Sequence, residues 1–154
     1  MLEYMGLALA VCGADLMVKE TVKESVDTNQ KIYTCNDKVI ITKFYNPGAM
    51  LGAFGERPGF IKGVTVFGLG ALVGALAAIS GHKGERLQKF GLSLMIGGAS
   101  SNAFERFRYG MVTDYIQFNF KNKKFRRVIY NVGDFAIFGG SFLLCLGELL
   151  HRDK

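Results

Sequence analysis

Two aspartates in the C-terminal half of the chain, Asp114 and Asp134, are the residues best suited to chemistry. Two carboxyl groups that share a partly buried site cannot both ionise cheaply, so the pair can hold one proton between them. The ionised member can act as general base on a water, while the protonated member donates to a carbonyl oxygen and later to a leaving amine. Such a pair titrates as a unit, and the sequence leaves open which member carries the proton.

Several other polar and glycine residues could belong to the same site as these two acids, and some of them also have a simpler structural explanation. Asp15 and Lys19 are four residues apart and can form an ion pair on one helix. Asn46 begins an Asn-Pro-Gly turn signal, and Asp134 can be an acid favoured by the dipole at a helix start. The hypothesis of a site therefore depends on their combination. The supporting residues would be Asp15, Lys19, Asn46, Gly48, Asn102, Arg106 and Asn131.

Four apolar segments could position these residues, since a membrane-spanning helix needs roughly 20 mostly apolar residues. The segments lie at about 1–18, 60–80, 87–104 and 132–150. The first is the weakest, because it is short and contains Asp15. It lacks the usual basic start, so we interpret it as a retained helix and not as a cleaved signal peptide. We predict an all-α membrane protein, a single domain over residues 1–154 with four transmembrane helices.

The order of these helices predicts where the unusual polar residues meet. The ends of the first and third helices and the starts of the second and fourth must share one side of the membrane. Asp15 and Lys19 close the first helix, Asn102 and Arg106 close the third, and Asp134 opens the fourth. Costly polar groups gathered on one side of a membrane indicate a site.

The second apolar segment is rich in glycine. Gly70 and Gly74 form a small-xxx-small pair, which lets a neighbouring backbone approach closely in lipid. We interpret this helix as scaffold.

The first and third loops are predicted to form a small sheet on one membrane face. Residues 38–45 (KVIITKFY) and 115–120 (YIQFNF) are rich in β-branched and aromatic side chains. Residues 121–127 (KNKKFRR) are expected to form a basic tip that is either hairpin-like or in contact with lipid.

The net charge of +6 favours a membrane surface over nucleic acid. Nucleic-acid binding needs a basic face on a soluble domain, which the apolar segments disfavour, whereas anionic headgroups attract basic loops. Cys12, Cys35 and Cys145 follow no metal-binding spacing and are interpreted as free thiols.

The motifs together resemble those of the lipoprotein signal peptidase (signal peptidase II) family. They follow the family's order and extend from residue 15 to residue 134, nearly the whole chain. In order they are Asp15 with Lys19, 46–49 (NPGA), 97–98 (GG), 101–106 (SNAFER), 110–115 (GMVTDY) and 130–134 (YNVGD).

The resemblance implies an intramembrane aspartyl endopeptidase of the bacterial cytoplasmic membrane, with Asp114 and Asp134 catalytic and no metal or organic cofactor. Its expected substrate is a prolipoprotein whose Cys already carries a diacylglyceryl group, cut just before that Cys. Membrane phospholipids are the other expected partners, and the oligomeric state is left open.

Several positions depart from the family's pattern. Glu105 stands where the family usually has Asp, Ser101 where it has Gly, and Gly133 where it has Ala. Met50 and Leu51 replace a usual Ala-Phe. These differences indicate a divergent member and leave its inhibitor sensitivity and substrate range open.

Orientation and activity each have two possible interpretations. The resemblance places the site on the outer face, yet residues 105–131 carry 7 Lys or Arg, against 3 in residues 81–89 and 2 in the tail. Basic residues normally accumulate on the cytoplasmic side. The alternative activity is a catalytically silent relative that binds lipidated peptides or lipids. A small transporter is less favoured, because it needs ionisable groups in both membrane halves.

Overall fold

The computed structural model describes residues 1–28, 30–48, 53–82, 84–122 and 126–152. These residues include four long helices and a four-stranded antiparallel sheet. The helices are α1 (Leu2–Ser25), α2 (Pro58–Ile79), α3 (Arg86–Tyr109) and α4 (Val132–Arg152). The strands are β1 (Lys31–Thr34), β2 (Val39–Asn46), β3 (Val112–Phe118) and β4 (Ile129–Tyr130), in the order β1-β2-β3-β4.

The helices are placed as predicted, but two of them are longer. α1 continues beyond residue 18 to Ser25, and Lys19 and Val22 on this extension are buried. α3 continues beyond residue 104 and ends at Gly110, which takes the left-handed conformation (φ 79°) that stops helices. The polar residues at these two helix ends therefore lie inside helical segments that pack against the sheet.

The predicted sheet of the first and third loops is present, with four strands instead of two. β3 begins three residues earlier than expected, so Asp114 lies in a strand and not in a loop. Phe44 pairs with Asp114 after a register shift between Ile41 and Phe44. The predicted basic tip falls partly outside the described residues, as do Ala49, Met50 and Leu51.

Two helices are long and apolar enough to cross a membrane. They are Pro58–Ile79, with a mean hydropathy of 1.8, and Val132–Leu150, with 1.5, and only 11% and 17% of these spans are buried. α1 and α3 do not meet the same criterion over the described residues. Four transmembrane helices therefore remain a prediction.

α3 lies at the centre of the bundle and contacts all three other helices. Two adjacent glycines bring it close to two of them. A Cβ on Gly97 would lie 2.7 Å from the Ala8 carbonyl oxygen of α1, and one on Gly98 would overlap the Gly133 carbonyl oxygen of α4. The glycine pair thus allows main chains to touch without an intervening layer of side chains.

The glycines of α2 behave differently from the scaffold interpretation. A Cβ on Gly70 or Gly74 would meet nothing within 4 Å, so no backbone of the described residues packs into that groove. The packing glycines are instead those of α3 and α4.

Gly98→Ala should therefore destabilise the bundle, whereas Gly70→Ala should not. The added methyl group collides with main-chain atoms that cannot rotate away, and overpacking of this kind costs about 1–3 kcal/mol. Thermal unfolding of the purified protein in detergent measures the difference. Equal midpoints for the two variants would show that α3 and α4 are not in backbone contact at Gly98.

Candidate active site

Asp114 is held by two amide side chains at the start of β3. Its side chain is nearly buried, with 4% of the residue exposed. Asn46 Nδ2, at the end of β2, donates to Asp114 Oδ2 at 2.9 Å, and Asn131 Nδ2 donates to Oδ1 at 2.7 Å. Both carboxylate oxygens are therefore satisfied, and the side chain has a fixed orientation.

Asp134 lies in the first turn of α4 and is also held on both oxygens. Asn102 Nδ2, on α3, donates to Oδ1 at 3.0 Å. The main-chain N–H of Asn131 donates to Oδ2 at 3.0 Å, and Asn131 Oδ1 accepts from the Asp134 N–H at 2.9 Å. This reciprocal pair of bonds is a capping arrangement that satisfies donors at the helix start.

Asn131 thus contacts both acids. Its side-chain amide nitrogen binds Asp114, and its main-chain N–H binds Asp134. Asn131 itself is fully buried. Because one residue bonds to both carboxyl groups, the two acids are neighbours in space although twenty positions separate them in sequence.

Both carboxyl groups line one cavity of about 240 Å³. One wall is polar and includes Arg106, and the other is formed by side chains of β4 and α4. The remaining lining residues are Asn46, Gly48, Asn102, Val112, Val128, Ile129, Tyr130, Asn131, Ile137 and Phe138. The cavity combines a pair of acids with an apolar wall, which suits a substrate with both a peptide bond and a hydrophobic portion.

The electrostatics of the cavity bring the pKa of Asp114 close to neutral pH. Burial raises the pKa of Asp114 from its ordinary value of 3.8 to about 7. The hydrogen bonds from Asn46 and Asn131 lower that pKa, and the nearby charge of Asp134 raises it. A carboxyl group with such a pKa can exchange a proton at physiological pH.

Lys19 and Asp15 form the ion pair that their spacing allows, and the pair also reaches the acids. Lys19 Nζ lies 2.7 Å from Asp15 Oδ2, and neither side chain is exposed. The same ammonium donates to Asn102 Oδ1 at 2.7 Å. Since Asn102 in turn donates to Asp134, the buried ion pair fixes the amide that orients this acid.

Arg106 connects α3 to the first loop and to α2. Its Nη2 donates to the Gly48 carbonyl oxygen at 2.9 Å, and its Nη1 donates to Thr65 Oγ1 at 3.2 Å. Asn46 Oδ1 accepts from the Gly48 N–H at 3.0 Å, so Asn46 forms the predicted turn and also holds Asp114. Every residue predicted for the site is therefore linked to its neighbours or lines its cavity.

Sequence reasoning missed the roles of Tyr115 and Thr113. The Tyr115 hydroxyl donates to Asp15 Oδ1 and accepts from the Val132 N–H, both at 3.1 Å. Burial raises the pKa of Tyr115 further above its ordinary range. Side chains alternate along a strand, so an assignment of β3 from residue 112 would have placed both residues on the face opposite Asp114.

The described residues contain no group of three His, Cys, Asp or Glu side chains arranged to hold a metal ion. The polar groups that surround the two carboxyl groups are amides, a guanidinium and an ammonium.

Comparisons with known proteins agree with this architecture. Two solved structures, both titled as bacterial membrane enzymes, share the fold. One has a TM-score of 0.83 at 21% identity and covers 99% of this chain and 90% of its own. The other has a TM-score of 0.81 at 22% identity and covers 97% and 94%. At such identities these matches establish the fold alone.

Sequence relatives define the family. The sequence model of the signal peptidase (SPase) II family matches residues 7–150 of this chain. A lipoprotein signal peptidase of Moorella thermoacetica is 30% identical over 96% of this chain and 93% of the relative. One from Bacillus subtilis is 30% identical over 100% of this chain and 97% of the relative. The chain therefore belongs to the signal peptidase II family of membrane proteases.

Asp134→Asn should lower the pKa of Asp114 below about 7, because it removes a negative charge that disfavours ionisation of Asp114. The carbonyl stretch of the protonated carboxyl group, followed by infrared difference spectroscopy across a pH titration, measures this change. Asp37→Asn, in the exposed turn before β2, is the control and should leave the titration unchanged. An unshifted or raised Asp114 titration in the Asp134 variant would show that the two acids do not interact.

Proposed function

We propose that this protein is an intramembrane aspartyl endopeptidase that removes the signal peptide from diacylglyceryl-modified bacterial prolipoproteins, cutting just before the lipidated Cys. The observation that supports this most directly is Asn131, which binds Asp114 and Asp134 at one cavity. Membership of the signal peptidase II family gives the substrate class.

Asp114 and Asp134 form the catalytic pair and hold one proton between them. The ionised carboxylate takes a proton from a water, whose oxygen attacks the scissile carbonyl carbon. The protonated carboxyl group donates its proton to the carbonyl oxygen, which gives a tetrahedral diol. The carboxyl group that took the proton of the water then donates it to the peptide nitrogen, the C–N bond breaks, and the other carboxylate takes back the proton of one hydroxyl as the new carboxyl group forms and the amine leaves. The pair loses its shared proton as pH rises through about 7, the pKa of Asp114, so hydrolysis slows above that pH.

The surrounding residues orient the acids and receive the substrate. Asn46 and Asn102 each hold one catalytic carboxyl group, and Lys19 with Asp15 fixes Asn102. Arg106 and Gly48 line the cavity beside the acids, where a guanidinium can bind a peptide carbonyl. The apolar wall of β4 and α4 receives the hydrophobic side chains next to the cleaved bond.

The chain is a single polytopic domain over residues 1–154 whose four helices cross the membrane. α2 and α4 carry the apolar composition for this. α1 and α3 carry ionisable residues, but Asp15, Lys19 and Glu105 are fully buried inside the protein, where such groups are tolerated in membranes. Large apolar side chains that face outward, such as Leu9 and Phe67, then contact lipid.

The position of the site at the membrane boundary suits a lipidated substrate. The acids lie where the sheet meets the ends of α1 and α3 and the start of α4. The diacylglyceryl group can stay in the bilayer while the peptide bond reaches the polar cavity. The basic residues around β4 can then contact anionic headgroups on the outer face.

Asp114→Asn should abolish cleavage of a lipidated precursor, because an amide cannot share the dyad's proton. We expect a loss of at least about 10³-fold in kcat, in line with removal of a group needed in the transition state. Gel separation of precursor and product measures it, with Asp37→Asn as the active control. An Asp114 variant that still cuts would end the catalytic assignment, and a parent protein that binds the precursor without cutting it would identify a silent relative.

The outer-face orientation has a direct test in Cys35, which is exposed in the turn between β1 and β2. A membrane-impermeant maleimide should modify Cys35 in intact spheroplasts, and Cys35→Ser should remove the label. Cys12 and Cys145 lie within α1 and α4, away from the sheet. Labelling of Cys35 only after lysis would place the sheet and the site on the cytoplasmic side, as the loop charges favour.

A further inference from the structure

Glu105 is fully buried beside the strand that carries Asp114. Its Oε2 accepts from the Thr113 N–H at 2.7 Å, and its Oε1 accepts from the Thr113 hydroxyl at 2.8 Å. One carboxylate therefore accepts hydrogen bonds from both the main chain and the side chain of the same residue. Thr113 is itself only 1% exposed.

Thr113 immediately precedes Asp114, so the hydrogen bonds between Thr113 and Glu105 also constrain the position of Asp114. Successive side chains of a strand point to opposite faces, so Glu105 holds β3 from the face opposite the cavity. The pairing between β2 and β3 also changes register just before Phe44 reaches Asp114. Where the ladder is irregular, the bonds from Glu105 to Thr113 supply a separate fixed point for the strand.

Two ammonium groups balance the buried charge of Glu105. Lys23 Nζ lies 2.7 Å from Oε1, and Lys19 Nζ lies 3.5 Å from Oε2. Lys19 also donates to Asn102, whose amide holds Asp134. The same ionic cluster is thus connected to Asp114 through Thr113 and to Asp134 through Asn102.

We propose that Glu105 is a positioning residue for hydrolysis: through Thr113 it fixes Asp114 at the distance from Asp134 that the shared chemistry needs. Glu105 makes no direct contact with either acid among the described interactions, so its effect is on their placement. This inference rests on the proposed peptidase function.

The test compares Thr113→Val with Thr113→Ser in cleavage of a lipidated precursor by the full-length protein. Valine removes one hydroxyl donation and leaves every charge in place, whereas serine keeps the hydroxyl. Since a misplacement of about 1 Å can cost up to about 10²-fold in rate, we expect kcat to fall about tenfold for Thr113→Val, with KM changed by less than about twofold. Thr113→Ser should restore kcat.

Glu105→Gln should have a larger effect on kcat and should move the pH at which hydrolysis declines, because Asp114 is no longer held in place. Glu20→Gln is the matched control. Glu20 also pairs with Lys23, at 3.4 Å, but its side chain is 60% exposed, and the described hydrogen bonds of the Thr113 N–H and hydroxyl go to Glu105 and not to Glu20. This control should keep the parent's kcat and pH profile.

A purely structural role predicts a different pattern. Variants of Thr113 and Glu105 that unfold at lower temperature, but keep the parent's kcat and pH profile per folded molecule, would overturn the proposal. If Glu105→Gln does not fold, the Thr113 pair decides the question. Retained activity in Asp114→Asn would refute the peptidase assignment itself, whereas an inactive Asp114→Asn with normal Thr113→Val would refute the positioning role alone.

Discussion

The buried ammonium of Lys19 is the interaction on which the rest of this protein depends. A fully enclosed charge is costly unless its partners are close and well oriented. Lys19 meets this condition with Asp15 at 2.7 Å, Asn102 at 2.7 Å and Ser101 at 3.0 Å, all within the contact between α1 and α3. Removing one member of such a cluster leaves a buried charge without its partner, which is costly. The geometry of the cluster is therefore strongly constrained.

The fixed geometry around Lys19 also determines the orientation of an acid in the cavity. Asn102 can present its amide nitrogen to Asp134 because Lys19 has already engaged its oxygen. Ser101 adds to the cluster by donating to Asp15 at 2.5 Å, a bond that a glycine at this position could not make. Glu105 lies next to the same lysine, with its Oε2 3.5 Å from Lys19 Nζ.

Much of this arrangement could be predicted from the sequence because it follows local patterns. The four helices are visible as apolar segments, and the order of helix ends already placed Asp15, Asn102 and Asp134 together. Local patterns do not reveal contacts between distant residues. The bond between Tyr115 and Asp15 joins residues 100 positions apart, and the grip of Glu105 on Thr113 depends on where β3 begins.

The sequence motifs also did not predict that Asn131 bonds to both acids. In the pattern it is a residue near a catalytic candidate, whereas in the fold its side-chain nitrogen donates to Asp114 and its main-chain N–H donates to Asp134. Its dual role arises because it sits at the junction of β4 and α4, where the backbone turns. No periodicity marks such a junction, and only the three-dimensional path of the chain shows it.

The glycine pair of α3 has a consequence for how a substrate can enter. With Gly97 against α1 and Gly98 against α4, three helices share main-chain contacts and have no compressible layer between them. A frame of this kind cannot spread apart without losing its packing. The contacts of Gly97 and Gly98 therefore make α1, α3 and α4 a rigid support under the acids, and we expect any movement that admits a substrate to occur in the sheet rather than between these three helices.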